Sequence, residues 1–332
     1  MKSLAINRVE IKDFLAFRGE FDCDFCRGVN VIIGGNGTGK TTLLKCLYYG
    51  ADRFSNPKPA PDLQDYFGLA GYHEIVDSTR EAIAKKFGMI TMDVSGEHFE
   101  FSYFYCKPPN NSKITIRPVY IPEKDILEHA KGLLTFIEQK KTGFGQIYKD
   151  VLVNAQDIPT QKQSVTQKKV GKKIQDAIGG TVSWSKATGS FLTVQTDGNS
   201  FPFANEASGY KKLGYLGLLV TNGHLEKDSV LLWDEPENSL NPELMPVLVD
   251  ILLELSRNGV QIFLATHNEV LASYFSVNKQ NSDNVMFYSL YKDGKHIKAD
   301  SNDRFDLLNP NKLTEEPVKL YERRLDRGLG GE

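Results

Sequence analysis

The sequence predicts an α/β fold: a mostly parallel sheet flanked by helices, with an antiparallel β subdomain and a helical insertion. Three observations carry this. An apolar, strand-like run ends in Gly34-x4-Gly39-Lys40-Thr41, and a helical stretch begins there. A second apolar run, Val230-Leu-Leu-Trp233, ends in the carboxylates Asp234 and Glu235. Around both, strand-like and helix-like periodicities alternate, the pattern of parallel strands joined by helical crossovers.

In chain order, residues 4–11, 21–25 and 30–33 read as strands, the last running into the Gly-rich turn. A helix follows from Gly39 to about Tyr49, with Gly50 as its stop. From Met89 to Ile121 the pattern becomes antiparallel: Phe99, Phe101, Tyr103 and Tyr105 alternate, and Pro108-Pro-Asn-Asn-Ser112 offers a turn. Residues 123–179 are helical, polar and rich in Lys and Gln, and read as an insertion into a core made of residues 1–122 and 180–332. Within it, residues 160–173 carry five lysines without an interleaved aromatic, which favours a solvated helix or mobile loop over a nucleic-acid patch. Strands return at 181–187 and 190–196, turning at Asp197-Gly198.

A helix runs from Ala207 to about Val220, and the buried strand 230–233 follows. The next helix takes Asn241 as N-cap and Pro242 at its first position. Leu244, Val247, Leu248, Ile251, Leu252 and Leu255 form its apolar face, and Gly259 ends it. Residues 260–265, apolar but for Gln261, make another short strand. A hairpin at Asp293-Gly294 and a charged tail close the chain.

At 332 residues and 40% hydrophobic, the chain can bury a full core. The net charge of -2 supplies no global field toward nucleic acid or an anionic membrane. No run approaches the ~20 apolar residues of a membrane span, and Met1-Lys-Ser-Leu-Ala-Ile-Asn-Arg8 has no apolar stretch of a signal peptide. A cytoplasmic location is therefore expected. Cys23 and Cys26 have the spacing of half a zinc site, but Cys46 and Cys106 supply no second half, so the pair reads as a strand and turn.

The chemistry lies in two places. In Gly34-Gly35-Asn36-Gly37-Thr38-Gly39-Lys40-Thr41-Thr42, glycines let backbone N–H groups converge on phosphate oxygens, and the helix beginning there adds its positive end. Lys40 is placed to reach the outer phosphates and Thr41 to offer its hydroxyl to Mg²⁺. Asp234, at the end of a buried strand, can hold Mg²⁺ through its water shell, and Glu235 can orient or deprotonate an attacking water.

These motifs resemble the ABC-type ATPases, and more narrowly the soluble branch that includes the SMC, RecF and overcoming-lysogenization-defect proteins. The likeness extends over nearly the whole chain. After the phosphate loop comes Ala207-Ser208-Gly209-Tyr210-Lys211, at the place of the family's signature, 26 residues from Ser208 to Asp234. It keeps the serine and first glycine, while Tyr210 and Lys211 replace the second glycine and the glutamine; Lys211 could supply compensating charge. Glu237-Asn-Ser-Leu-Asn-Pro242 resembles the D-loop, and Leu264-Ala-Thr-His267 the switch histidine. Val119-Tyr-Ile-Pro-Glu-Lys-Asp125 resembles the glutamine-loop segment, with Glu123 facing metal or water. Phe14 and Phe17 are candidates for adenine stacking.

The resemblance implies ATP and Mg²⁺ as cofactors and a homodimer closed by ATP. Each composite site would take Lys40, Thr41, Asp234, Glu235 and His267 from one chain and Ser208 and Gly209 from the other. The implied activity is slow ATP hydrolysis that switches a protein effector, in anti-phage defence or DNA maintenance, with nucleic acid left open as a partner and no membrane. The alternative is the energy-coupling subunit of a membrane transporter. Lys40 and Asp234 lie 194 residues apart without a sustained heptad pattern, which excludes an SMC-like coiled-coil arm. The 65 residues after His267 are too few for a Toprim nuclease domain, so no nuclease activity is expected of this chain.

Overall fold

The computed structural model describes residues 4–56, 66–67, 88–102, 105–107, 114–139 and 144–328. Tyr103 and the turn expected at 108–112 lie outside them. Strands β1 (Ile6–Phe14), β2 (Phe17–Asp24) and β3 (Val29–Gly34) precede helix α1 (Lys40–Ser55). Then come β4 (Met89–Val94), β5 (Glu97–Ser102), β6 (Tyr105–Lys107) and β7 (Arg117–Ile121). Helices α2 (Ala130–Glu138), α3 (Gln146–Gln156) and α4 (Val165–Ile178) lead to β8 (Gly180–Ser185), β9 (Ser190–Gln195) and β10 (Ser200–Pro202). The second half alternates α5 (Ser208–Thr221), β11 (Ser229–Asp234), α6 (Met245–Arg257), β12 (Gln261–Thr266) and α7 (Glu269–Asn278). It ends in the hairpin β13 (Val285–Asp293) and β14 (His296–Asn302) and helix α8 (Lys312–Gly328).

The central sheet has six strands in the order β14-β13-β3-β12-β11-β7, all parallel except β14. Its inner strands β3, β11 and β12 are buried along their whole length, on both faces, and so read as largely apolar runs. Val31, Leu231, Trp233, Ile262 and Leu264 face a core shared with α2 to α7. Ile32, Val230, Leu232, Phe263 and Ala265, one residue out of phase, face α1 and the antiparallel sheet β2-β1-β4-β5-β6. Helices thus cover both faces, as expected, with the antiparallel subdomain stacked beyond α1. Ile137, Val151, Leu152, Val170 and Ile174 place the helices of residues 123–179 in the same core as α5 and α6.

Two buried amides fasten the layers. Gln261 acts like a strand partner to β1: its Oε1 accepts from Ile6 N at 2.8 Å, and its Nε2 donates to Ile6 O and Cys26 O at 2.8 Å each. Asn30 donates to Cys26 O and Ile262 O and accepts from the Tyr288 hydroxyl. Cys26 serves this same turn, its thiol donating to Val29 O at 3.4 Å.

Three expectations need correction. Gly50 does not stop α1, which continues to Ser55. A Cβ there would sit 2.1 Å from Met92 Sδ and 2.9 Å from the Phe101 ring, so this glycine lets the helix approach the antiparallel sheet. The antiparallel region does not extend to Ile121: β7 joins the central sheet parallel to β11, with Val119, Tyr120 and Ile121 all buried. The helix after Asn241 begins as a single 3₁₀ turn, Pro242–Leu244, capped by Asn241 Oδ1 on Glu243 N at 3.2 Å, before α6 proper.

Candidate functional site

The strands of the central sheet point their C-terminal ends at one edge, and the turns leaving β3, β11 and β12 meet there. Leaving β3, the chain tightens at once. A Cβ on Gly34 would lie 2.5 Å from Leu290 O, and Gly39, at φ +87°, would press one to 2.9 Å from the Phe17 ring. Only glycine fits these two positions. Thr38 Oγ1 donates back to Gly35 O at 2.8 Å, while Asn36 and Gly37 form an exposed crest. Helix α1 starts here with no acidic residue in its first turn, so its positive end is left for an anion. Thr41 is exposed and Thr42 half-buried at that end.

Lys40 is buried, and its ammonium donates to Gly34 O at 2.8 Å and Gly35 O at 3.2 Å. Burial lowers its pKa to about 8, against the pull of Glu235, Asp234 and Glu237. A cation held at such a cost is stabilised by any polyphosphate entering the loop.

Asp234 ends β11 and is buried. Its desolvation raises the carboxyl to about 6, although the Thr41 side chain hydrogen-bonds it. The all-oxygen pair of Thr41 and Asp234 fits a hard divalent cation such as Mg²⁺, whose charge would relieve the burial. Glu235 follows in the left-handed region at φ +49°. That turn swings its carboxylate toward β12, where its Oε1 lies 3.0 Å from His267 Nε2. His267 Nδ1 lies 3.5 Å from Lys40 Nζ. The contacts are satisfied together by the Nε2–H tautomer, which donates to Glu235 and accepts from Lys40. Lys40, His267, Glu235, Asp234 and Thr41 therefore form one cluster.

Glu237 braces it from below: its Oε1 accepts from the Thr266 hydroxyl at 2.7 Å and from His267 N at 2.9 Å. Sequence reasoning assigned Glu237 only to a loop, and nothing in a lone Glu-Asn-Ser marks this role.

Ser208 and Gly209 open α5 apart from this cluster. Ser208 is exposed and makes no side-chain hydrogen bond among the described residues. Gly209 is buried on the turn after β11, where a Cβ would meet Ser239 O at 3.0 Å and Leu240 Cα at 3.2 Å. Lys211 does not present a free charge, as its departure from the signature suggested. It is buried and ion-paired with Glu128. The neighbouring Lys212, which sequence reasoning passed over, is also buried and donates to Glu235 O at 2.7 Å, tying α5 to the turn that carries the carboxylate.

Beside Thr41 and Asp234 opens a cleft of about 290 Å³ that Lys45, Tyr120, Glu123 and Tyr148 also line. Glu123 thus lies at the same site, accepting from Asn238 Nδ2 at 3.2 Å. Phe14 and Phe17 do not fit adenine stacking: they are 1% and 0% exposed and belong to the core beneath α1.

A glycine-rich loop at a helix N-terminus, an internal lysine and a carboxylate-bearing strand end define a phosphate-loop nucleotide-binding protein of the α/β class. A family model described as "AAA domain" matches residues 8–182, more than half of the chain, and the chain belongs to that family. A second AAA-domain model, whose description names the AbiEii toxin and a type IV TA system, matches residues 115–273. This membership agrees with the resemblance to soluble ABC-type ATPases seen in the motifs.

A curated relative, the energy-coupling factor transporter ATP-binding protein EcfA of Methanothermobacter thermautotrophicus, is 32% identical over 66 residues, 20% of this chain and 20% of that protein. Among solved structures, an SMC head bound to the C-winged helix domain of ScpA superposes with a TM-score of 0.48 at 13% identity, covering 90% of this chain and 97% of that one. The SMC head domain from Thermotoga maritima gives 0.45 at 11%, covering 89% and 98%. An ATP-binding cassette of an ABC transporter in its ADP conformation gives 0.45 at 15%, covering 96% and 99%. Among the described residues no helix is long and apolar enough to cross a membrane.

Proposed function

We propose that this protein is an ATP-hydrolysing switch whose two copies close over ATP and open after hydrolysis, and that it passes this change to a protein effector. The observation that carries the reading is the division of the motif residues. Lys40, Thr41, Asp234, Glu235 and His267 gather at one strand edge, while Ser208 stands exposed at the start of α5 with no side-chain hydrogen bond among the described residues. A second copy would bring that hydroxyl and the N-terminal amides of its helix to the outermost phosphate.

In this mechanism the loop amides and Lys40 hold the phosphates, and Mg²⁺, when bound, would supply positive charge against the negative charge that builds up on transfer. Thr41 and Asp234 would hold it. Glu235 accepts a proton from the attacking water. His267, already bonded to Glu235 at Nε2, holds that carboxylate in place and faces the phosphate that leaves. Hydrolysis removes the group that Ser208 grips. Each charge-assisted hydrogen bond so lost weakens the closed form by about 1.5–3 kcal/mol, and two sites losing several together reopen it.

The effector role, with anti-phage defence or DNA maintenance as its setting, draws support from the toxin–antitoxin system named for one family model. A transporter subunit is the second reading, favoured by the EcfA match; co-purification of a membrane protein rather than a polypeptide effector would select it. Turnover is the direct test. Wild-type protein with ATP and Mg²⁺ releases phosphate slowly, and Glu235→Gln binds ATP equally but releases at least about a hundredfold less. Equal rates in the two would refute the assignment.

A further inference from the structure

The phosphate loop has a second lysine beside it, on a different element. Strand β13 runs parallel to β3, and Leu290 pairs with Gly34, where the loop begins. β3 turns away there, but β13 continues for three residues past the loop's base to Asp293. Side chains two apart on a strand share a face. Tyr288 and Leu290 lie in the core under α1, so Lys292 projects on the same side as the loop and α1. Its cross-strand partner is Ile297, which also belongs to that core and sits 3.3 Å from where a Gly39 Cβ would be. Lys292 Nζ itself lies 3.4 Å from the Cβ position of Gly37, on the exposed crest. The side chain is exposed, and among the described residues it makes no ion pair. Its neighbour Asp293 is instead bound by Lys298. The β13–β14 hairpin thus lays an apolar residue against one glycine of the loop and an uncommitted ammonium beside another.

We propose that Lys292 is a second cationic ligand for the nucleotide's phosphates, reaching them from the rim of the loop while Lys40 holds them from within. This deepens the reading of residues 34–42 as a nucleotide site and rests on it. A flexible ammonium at the crest costs little to desolvate, unlike Lys40, and its charge-assisted bond to phosphate adds affinity that falls with salt. It also ties the hairpin to the bound state of the loop.

The test is binding of a fluorescent ATP analogue, followed by anisotropy at low and at physiological salt. Lys292→Gln is expected to weaken binding about tenfold at low salt, with a smaller loss at higher salt, and Lys292→Arg to stay within about twofold of wild type. Lys295→Gln, on the same hairpin, controls for general charge. An unchanged affinity in Lys292→Gln overturns the proposal, as does an equal loss in Lys295→Gln, which would mean a diffuse field rather than a ligand. Lys40→Met separates the two levels. If it abolishes binding while Lys292→Gln does not weaken it, only the second lysine is misassigned. If Lys40→Met also binds normally, the loop reading itself fails.

Discussion

Replacing Lys40 with methionine removes a charge that the nucleotide-free protein holds at a cost. Burial brings this ammonium from 10.5 to about 8, despite three carboxylates nearby. Between those values the folded chain binds fewer protons than the unfolded one. The destabilisation is therefore complete below pH 8 and fades as pH rises toward 10.5. It amounts to about 3 kcal/mol at pH 7 and about 1.4 kcal/mol at pH 9.5. Methionine keeps the stem but loses the bonds to Gly34 O and Gly35 O, a penalty of about 1–2 kcal/mol common to both conditions. Lys40→Met should thus be more stable than wild type by about 1–2 kcal/mol at pH 7, and this advantage should fall by about 2 kcal/mol at pH 9.5. Urea unfolding of both proteins without nucleotide at the two pH values reads this directly. A variant less stable at pH 7 by an amount that does not change with pH would refute the account of a strained cation awaiting an anion.

Asp234→Asn tests the same logic at the metal side. Its raised carboxyl, at about 6 against 3.8, makes the ionised form costly, so the amide should stabilise the nucleotide-free protein by about 3 kcal/mol at pH 7 and by less than about 1 kcal/mol at pH 4. Mg²⁺-dependent stabilisation by ATP should vanish in the same variant; its survival would remove Asp234 from the metal site. Gln261→Leu removes the side-chain partners of Ile6 N and Ile6 O between the sheets and leaves Cys26 O with Asn30 alone. It should cost about 3–5 kcal/mol in urea unfolding, and a loss under 1 kcal/mol would mean that the amide does not fasten β1.

Much of the architecture was legible because the central strands are apolar on both faces and their turns carry distinctive residues. Val230-Leu-Leu-Trp-Asp and the run 260–265 read as short buried strands, which the parallel pairing of β11, β12 and β3 bears out, and Gly259 ends α6 in the left-handed conformation at φ +90°. The phosphate loop declared itself for the same reason, since Gly34 and Gly39 meet steric limits that few sequences need. What escaped was set by packing at a distance. Gly50 looks like a helix stop, and only the Met92 and Phe101 side chains from the other sheet give it a reason to lie inside α1. Residues 117–121 carry the composition of an edge strand, and their pairing with β11 depends on contacts more than a hundred residues away. Lys211 and Lys212 are indistinguishable as neighbours in sequence. The helix turns one toward Glu128 and the other toward Glu235 O, and no periodicity rule assigns which.

The central claim is that ATP joins two copies through Ser208, and the mass of Glu235→Gln in solution tests it most directly. With saturating ATP and Mg²⁺, light scattering after gel filtration should give twice the 37.2 kDa of the chain. Adding Ser208→Arg to the same variant should return it to one chain's mass while ATP stays bound. A Glu235→Gln protein that remains at single-chain mass with its nucleotide site full would contradict the account.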